Sequence, residues 1–227
     1  MTDPHHSAAG DPPAPAPAAA VAADAAAAPE PGPLPASLTL AELLCHLGRI
    51  ARGDDCAAGA PMTAAQWTAL RFFARANSAS RTPSAFAEFQ ATTRGTASQT
   101  IKTLEARGLL RRRRCPDDGR SVRFELTAAG RALLAHDPLQ HLAAAIDGLA
   151  PADRAALARL VPELAVGLAR ARGGHAFGTC DRCDHFEDRG RGGYCACAAM
   201  MLEPIEIGQL CMRYVPRPDG ESLVQGG

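Results

Sequence analysis

Residues 94–131 read RGTASQTIKTLEARGLLRRRRCPDDGRSVRFELTAAGR, and the order of features in this stretch decides the fold. Ala97, Ile101, Leu104 and Glu105 recur at helical spacing and form the inward edge of a helix over 94–107, which the glycine at 108 terminates. Leu109 and Leu110 then lead into four consecutive arginines, Arg111 to Arg114. The turn Pro116-Asp117-Asp118-Gly119 follows, and then Ser121 to Leu126, whose alternation is that of a half-buried strand. Two strands around a four-residue turn make a hairpin. Upstream, Thr82-Pro83 suits the first turn of a helix carrying Phe86 and Phe89, and the Thr92-Thr93 turn joins it to the helix at 94. Downstream, Thr127 caps the next helix. Helix, turn, second helix, then a hairpin with an arginine-rich strand is the order of a winged helix-turn-helix.

The charge distribution agrees with that order. Lys plus Arg and Asp plus Glu both count 24 over the 227 residues, so the chain is formally neutral. Residues 81–131 nevertheless hold eleven bases against five acids, whereas residues 1–36 hold four acids and no Lys or Arg. Duplex phosphate needs cations to replace its counterions, and the planar, always-charged guanidinium suits that task. Without its neighbours, the four-arginine run reads equally well as an edge strand protected by charge. It follows directly on a helix bearing Arg94, Thr96, Ser98, Gln99 and Lys102, so we expect that helix to read base edges in the major groove. Small residues at Gly95, Ala97 and Ser98 would allow a close approach. Arg120 at the hairpin tip is expected in the adjacent minor groove, and Thr92, Thr93 and Arg81 are candidates for phosphate contacts.

Residues 63–134 resemble the MarR family of bacterial transcription regulators. The resemblance is carried by Thr100-Ile101-Lys102-Thr103-Leu104-Glu105-Ala106-Arg107-Gly108-Leu109-Leu110. It continues through Pro116-Asp117-Asp118-Gly119-Arg120-Ser121 and Leu126-Thr127-Ala128-Ala129-Gly130-Arg131. It implies a homodimer held by the first helix and the last two long helices, each protomer reading half of a palindromic double-stranded DNA operator, with repression as the expected sign. It also implies a response to a small aromatic effector or to oxidation of a first-helix thiol. Cys45 resembles that oxidisable position, although the tyrosines of the peroxide-sensing branch have no counterpart, since the only tyrosines are Tyr194 and Tyr214.

Working outward, the composition divides the chain into four parts. Residues 1–36, with nine prolines and fourteen alanines, read as a disordered tail. Residues 37–172 form the winged-helix and dimerisation domain, residues 173–216 a Cys-rich metal- or cluster-binding segment, and residues 217–227 a flexible end. Leu40, Leu43, Leu44, Leu47 and Ile50 mark a helix over 37–52. Thr63 and Gln66 form a capping-box pair opening another, with Trp67, Leu70, Phe73 and Ala74 on one face. A long alanine-rich helix after Thr127 breaks at Asp137-Pro138, and Pro151 opens the last one, which runs to about Ala171. Leu139, Leu142, Ile146, Leu149, Leu157, Leu160, Val161, Leu164 and Leu168 give these helices more apolar surface than a thin domain can bury alone. Aromatic residues make up 4% of the chain against 47% hydrophobic, so Ala, Leu and Val are expected to fill most of a mainly α core with one small hairpin.

Eight cysteines complete the reading. The N-terminus has no basic start or unbroken apolar run, and no later stretch offers a charge-free membrane span. A cytoplasmic, reducing setting is therefore expected, where clustered thiols bind metal rather than pair as disulfides. Cys180, Cys183, Cys195, Cys197 and Cys211 fall within 32 residues, spaced C-x2-C, eleven residues, C-x-C, thirteen residues, C. Such thiols can close around an iron–sulfur cluster or a zinc ion. Cys180, Cys183 and Cys211 are the firmer ligands, while Cys195 and Cys197 compete for the fourth place. The phrase from Cys180 to Phe186 is similar to the small cluster-bearing subunits associated with glycyl radical enzymes. Phe177, Phe186, Tyr194, Met200, Met201 and Ile205 are candidates to shield the site. A cluster would make the tail a redox or gas sensor; zinc would be structural, leaving the aromatic effector in control. No nucleophile–base pair, phosphate loop or flavin fingerprint accompanies the thiols, which argues against an enzyme.

Overall fold

The protein is described by a computed structural model over residues 35–51, 62–114 and 122–217. The tail over residues 1–34, Cys56, Cys115, the turn from Pro116 to Ser121 with Arg120, and residues 218–227 lie outside the described residues. The chain divides into two units, residues 1–42 and 43–227. In the first, the described residues are the opening turns of helix α1 (Ala36–Ile50), with Leu38 and Leu40 exposed. In the second, α1 continues with Leu43, Leu44, Leu47 and Ile50 exposed.

Local chemistry places each helix of the second unit. The Thr63 side chain accepts from the Gln66 backbone N–H, and the Gln66 side chain accepts from the Thr63 N–H, so both ends of the capping box close at the start of α2 (Ala64–Arg75). The helix stops at Ala76, and Asn77 caps a short 3₁₀ turn, Ser78–Ser80. Thr82 caps α3 (Pro83–Phe89), with Pro83 in the first turn where its missing N–H costs nothing. Thr93 caps α4 (Arg94–Ala106), which ends at Gly108 with φ +69°, a left-handed position that glycine adopts without strain. Strands β1 (Leu110–Arg114) and β2 (Val122–Leu126) pair antiparallel, Leu110 opposite Leu126 and Arg112 opposite Phe124. Then come α5 (Ala128–Leu134), α6 (Leu139–Asp147) and α7 (Pro151–Ala171).

The core lies between α2, α3, α4 and the hairpin. Phe72, Phe73, Phe86, Leu70, Ile101 and Leu104 are its largest fully buried side chains. The expectation of an Ala, Leu and Val core is corrected in part. Alanines at 69, 76, 85, 87 and 97 are buried, but the few aromatics concentrate here, with Phe72 within 5.7 Å (ring centroids) of Phe73, Phe86 and Phe89. Three small helices and a hairpin enclose little volume, and large flat rings fill it with the fewest residues, each adding about 1.5–3 kcal/mol of burial. Glu105, expected on the inward edge of α4, is only half-buried. At the back of the hairpin α5 approaches so closely that a Cβ at Gly130 would lie 2.2 Å from Leu109 O.

A buried ion pair ties the break between α5 and α6 to α2. Asp137 Oδ1 accepts from Arg71 Nη1 at 2.7 Å and from the Leu139 N–H at 2.9 Å. By contrast, Leu157, Leu160, Val161, Leu164 and Leu168 along α7 are all exposed in the single chain. No helix among the described residues is long and apolar enough to cross a membrane.

The tail folds into small sheets rather than loops alone. Strand β3 (Gly178–Thr179) pairs with β7 (Leu210–Cys211), while β4 (Phe186–Asp188), β5 (Gly193–Cys195) and β6 (Met200–Leu202) form a meander, and α8 (Pro204–Ile207) precedes β7. Cys180, Cys183, Phe186 and Leu202 form a second, smaller core.

Candidate nucleic-acid interface and cysteine cavity

Helix α4 has two unlike faces. Ala97, Ile101 and Leu104 are buried against the core, whereas Arg94, Thr96, Gln99 and Lys102 are exposed and Ser98 is half-buried. Thr100 and Thr103 return their hydroxyls to Thr96 O and Gln99 O, so their polar groups are satisfied within the helix. A Cβ at Gly95 would meet only Thr93 Oγ1 at 3.8 Å, so no internal packing demands glycine there. Helix propensity alone disfavours it by about 1 kcal/mol.

Three residues expected to touch phosphate have structural work as well. Arg81 is half-buried and its Nε donates to Ala76 O at 2.8 Å, closing the C-terminus of α2. Thr93 Oγ1 accepts from the Thr96 N–H and lies 2.9 Å from Thr96 Oγ1, and the Thr92 N–H donates to Ala87 O. Thr93 stays exposed, so its cap and a phosphate could share it.

The arginine strand is partly neutralised. Arg111 stands directly opposite Glu125, and Arg111 Nη2 and Arg113 Nη1 each lie 2.8 Å from its carboxylate. The Arg113 hydrogen bond holds the Glu125 carboxyl below its ordinary 4.5, against an opposing push from partial burial and with further help from Arg111. Two of the four arginines in the run are thus paired with Glu125. Cross-strand pairing through a hairpin is the reason, and alternation at Ser121–Leu126 was the signal that could have predicted it.

The five tail cysteines separate in space. Cys180 opens a 3₁₀ turn, and its carbonyl accepts from the Cys183 N–H at 2.9 Å. Cys195 ends β5 opposite Phe186, and Cys211 ends β7 opposite Gly178. These four line one cavity of about 90 Å3, together with Phe186, Met200, Leu202 and Met212. Cys197 is exposed and does not line it, because the chain turns away at the end of β5. Backbone N–H groups aim at the sulfurs: those of Val215 and His185 at Cys183, and that of Arg213 at Cys211 Sγ, 3.4 Å away. Burial, with the neighbouring thiols of Cys211, Cys183 and Cys195, pushes the Cys180 thiol up to about 12. Among the described residues, no three Cys, His, Asp or Glu side chains are placed to hold one metal ion.

The expected shield is corrected in detail. Phe186 is buried at the cavity wall, and its ring explains Gly193, where a Cβ would lie 2.0 Å from the ring. Met201 faces out because β6 alternates, Ile205 is 75% exposed, and Tyr194 does not line the cavity. Phe177 packs instead on Phe72 and Phe89, with ring centroids 6.3 and 5.2 Å away. Sequence reasoning gave no sign of this docking, since nothing local distinguishes a phenylalanine that crosses to another core. Cys45 is exposed on α1.

Residues 60–121 match the model of the MarR family. The fold is similar to that of Streptococcus pneumoniae FabT in a structure with DNA, at 20% identity over 60% of this chain and 96% of that one, TM-score 0.46. Similar too is Bordetella bronchiseptica BpsR, a protein whose DNA binding is regulated by 6-hydroxynicotinic acid, at 27% identity over 59% and 97%, TM-score 0.44. A MarR family protein from Bacillus stearothermophilus gives 18% identity over 59% and 95%, TM-score 0.46. Comparison with curated proteins gives no match. The family match thus falls on α2, α3, α4 and the first strand of the hairpin.

Proposed function

We propose that this chain is a sequence-specific DNA-binding transcriptional regulator, a homodimeric repressor whose DNA affinity is modulated by a metal centre in its C-terminal segment. The observation that carries the reading is α4, with its exposed Arg94, Thr96, Gln99 and Lys102 beside a basic hairpin. Gln and Arg make bidentate contacts with adenine and guanine edges, and a glycine in the first turn that nothing inside the protein requires suits close approach to a groove. The dimer reading is supported by the exposed leucines of α1 and α7, apolar side chains that a partner surface would take out of water.

The test starts from duplexes that the full chain selects from a randomised pool. Gln99→Ala should relax preference at about one base position, a loss of about 1–3 kcal/mol of discrimination. Arg120→Ala should weaken all duplexes alike and reduce the salt slope by about 1. If Gln99→Ala also weakened all sequences equally, α4 would not be reading bases. A monomeric mass at micromolar concentration, or selected sites without two-fold symmetry, would remove the homodimer.

A further inference from the structure

The cysteine cavity and the helix-turn-helix share a wall. Asn77, Ser78, Ala79 and Ser80, the turn that feeds α3, line the same cavity as the four thiols. The strand bearing Cys211 is bonded to that turn on both sides of the cysteine. The Asn77 N–H donates to Leu210 O at 2.9 Å, and the Met212 N–H donates to Ser80 Oγ at 3.0 Å. Ser80 is fully buried, and its own N–H is held by Asn77 Oδ1. One step further out, Ser78 Oγ donates to Glu206 Oε1 at 3.0 Å.

We propose that Cys180, Cys183, Cys195 and Cys211 hold an iron–sulfur cluster in the cavity they line, and that the loaded site fixes β7 against the Asn77–Ser80 turn, setting the position of the helix-turn-helix. The regulatory half of this inference rests on the DNA-binding reading above. Zinc with four thiolates at about 2.3 Å requires sulfurs about 3.8 Å apart. Four cysteines, three of them buried, surround one cavity, and no three side chains among the described residues are placed to hold a single ion. A polynuclear cluster takes one thiolate per iron, so it does not need three of them to meet at one ion, and the four cysteines around this cavity supply its ligands, with Phe186, Leu202 and Met212 lining part of the wall. On ligation the four thiols release four protons, and four iron–sulfur bonds replace four S–H bonds. Because a segment this small has little core of its own, the cluster supplies much of the energy that orders it, and β7 carries that order to residues 77–80.

The experiment uses the full chain, prepared anaerobically, with iron, acid-labile sulfide and zinc measured per chain beside the visible spectrum. Iron and sulfide should be bound, retained by Cys197→Ser and lost from Cys195→Ser. Zinc in their place, or undiminished iron in Cys195→Ser, overturns the site. Affinity for a selected duplex should change at least tenfold between loaded and chelator-stripped protein. In Ser80→Ala, which keeps the four thiols, the cluster should remain while that difference shrinks. Equal affinity in the loaded and stripped states overturns the coupling. A protein that carries iron and sulfide but selects no duplex refutes the regulator reading and leaves the cluster assignment standing.

Discussion

Asp137→Ala removes the carboxylate that joins the break between α5 and α6 to α2, and the structure fixes the size of the loss. Arg71 and Asp137 side chains are 17% and 9% exposed, so solvent compensates little when one partner goes. Breaking a buried pair from one side costs about 3–5 kcal/mol, and this pair, not fully enclosed, belongs near the lower end. Asp137 Oδ1 also accepts from the Leu139 N–H, which adds about 1 kcal/mol. Asp137→Ala should therefore destabilise by about 3–4 kcal/mol, a large share of the 5–15 kcal/mol that holds most domains folded. Arg71→Ala leaves a carboxylate still bonded to Leu139 and should cost less, about 2–3 kcal/mol. The double variant should cost clearly less than the sum, with a coupling energy of about 2 kcal/mol. Urea unfolding followed by circular dichroism, at one fixed protein concentration, measures all three. Additive single losses, or an Asp137→Ala loss under about 1 kcal/mol, would refute the claim that this pair holds the helices together.

Two further perturbations test the hairpin. Gly130→Ala places a methyl 2.2 Å from the Leu109 carbonyl, which the backbone must move to avoid. Thermal melting should show a loss of about 1–3 kcal/mol despite the gain in helix propensity, and a rise in Tm would show that α5 does not seat there. Glu125→Gln should cost under about 1 kcal/mol, because Arg111 and Arg113 are 64% exposed. The Glu125 carboxyl lies below its ordinary 4.5 in the folded chain, so the stabilisation is complete above that pH and lost as pH falls through the lowered value. The difference in Tm between wild type and variant should thus be present at pH 7 and vanish in acid; a difference that persists there would exclude ionisation of Glu125 as its source.

The caps and turns were legible because each is a local contest that a few residues decide. Thr63 with Gln66, Thr93, Thr127 and Gly108 act within three or four residues of where they stand. The arginine strand was legible as a strand, but the partners of its guanidiniums were not, since Glu125 meets them only through the hairpin register. Likewise the C-x2-C spacing marked a turn that brings two thiols close together, while which of Cys195 and Cys197 lines the cavity depended on where β5 ends.

The sequence by itself determined the helix order, the two-faced α4 and the presence of a thiol-rich segment, because periodicity, capping and composition are properties of neighbours along the chain. Tertiary structure alone decided that Arg71 meets Asp137, that Phe177 packs against the winged-helix core, and that the strand bearing Cys211 is bonded to the turn before α3. Each joins residues 66 to 132 positions apart, or in the case of Phe177 bridges two segments with cores of their own. No local pattern encodes such meetings; they are selected only when the whole chain finds the arrangement that buries the most apolar surface and leaves the fewest polar groups unpaired.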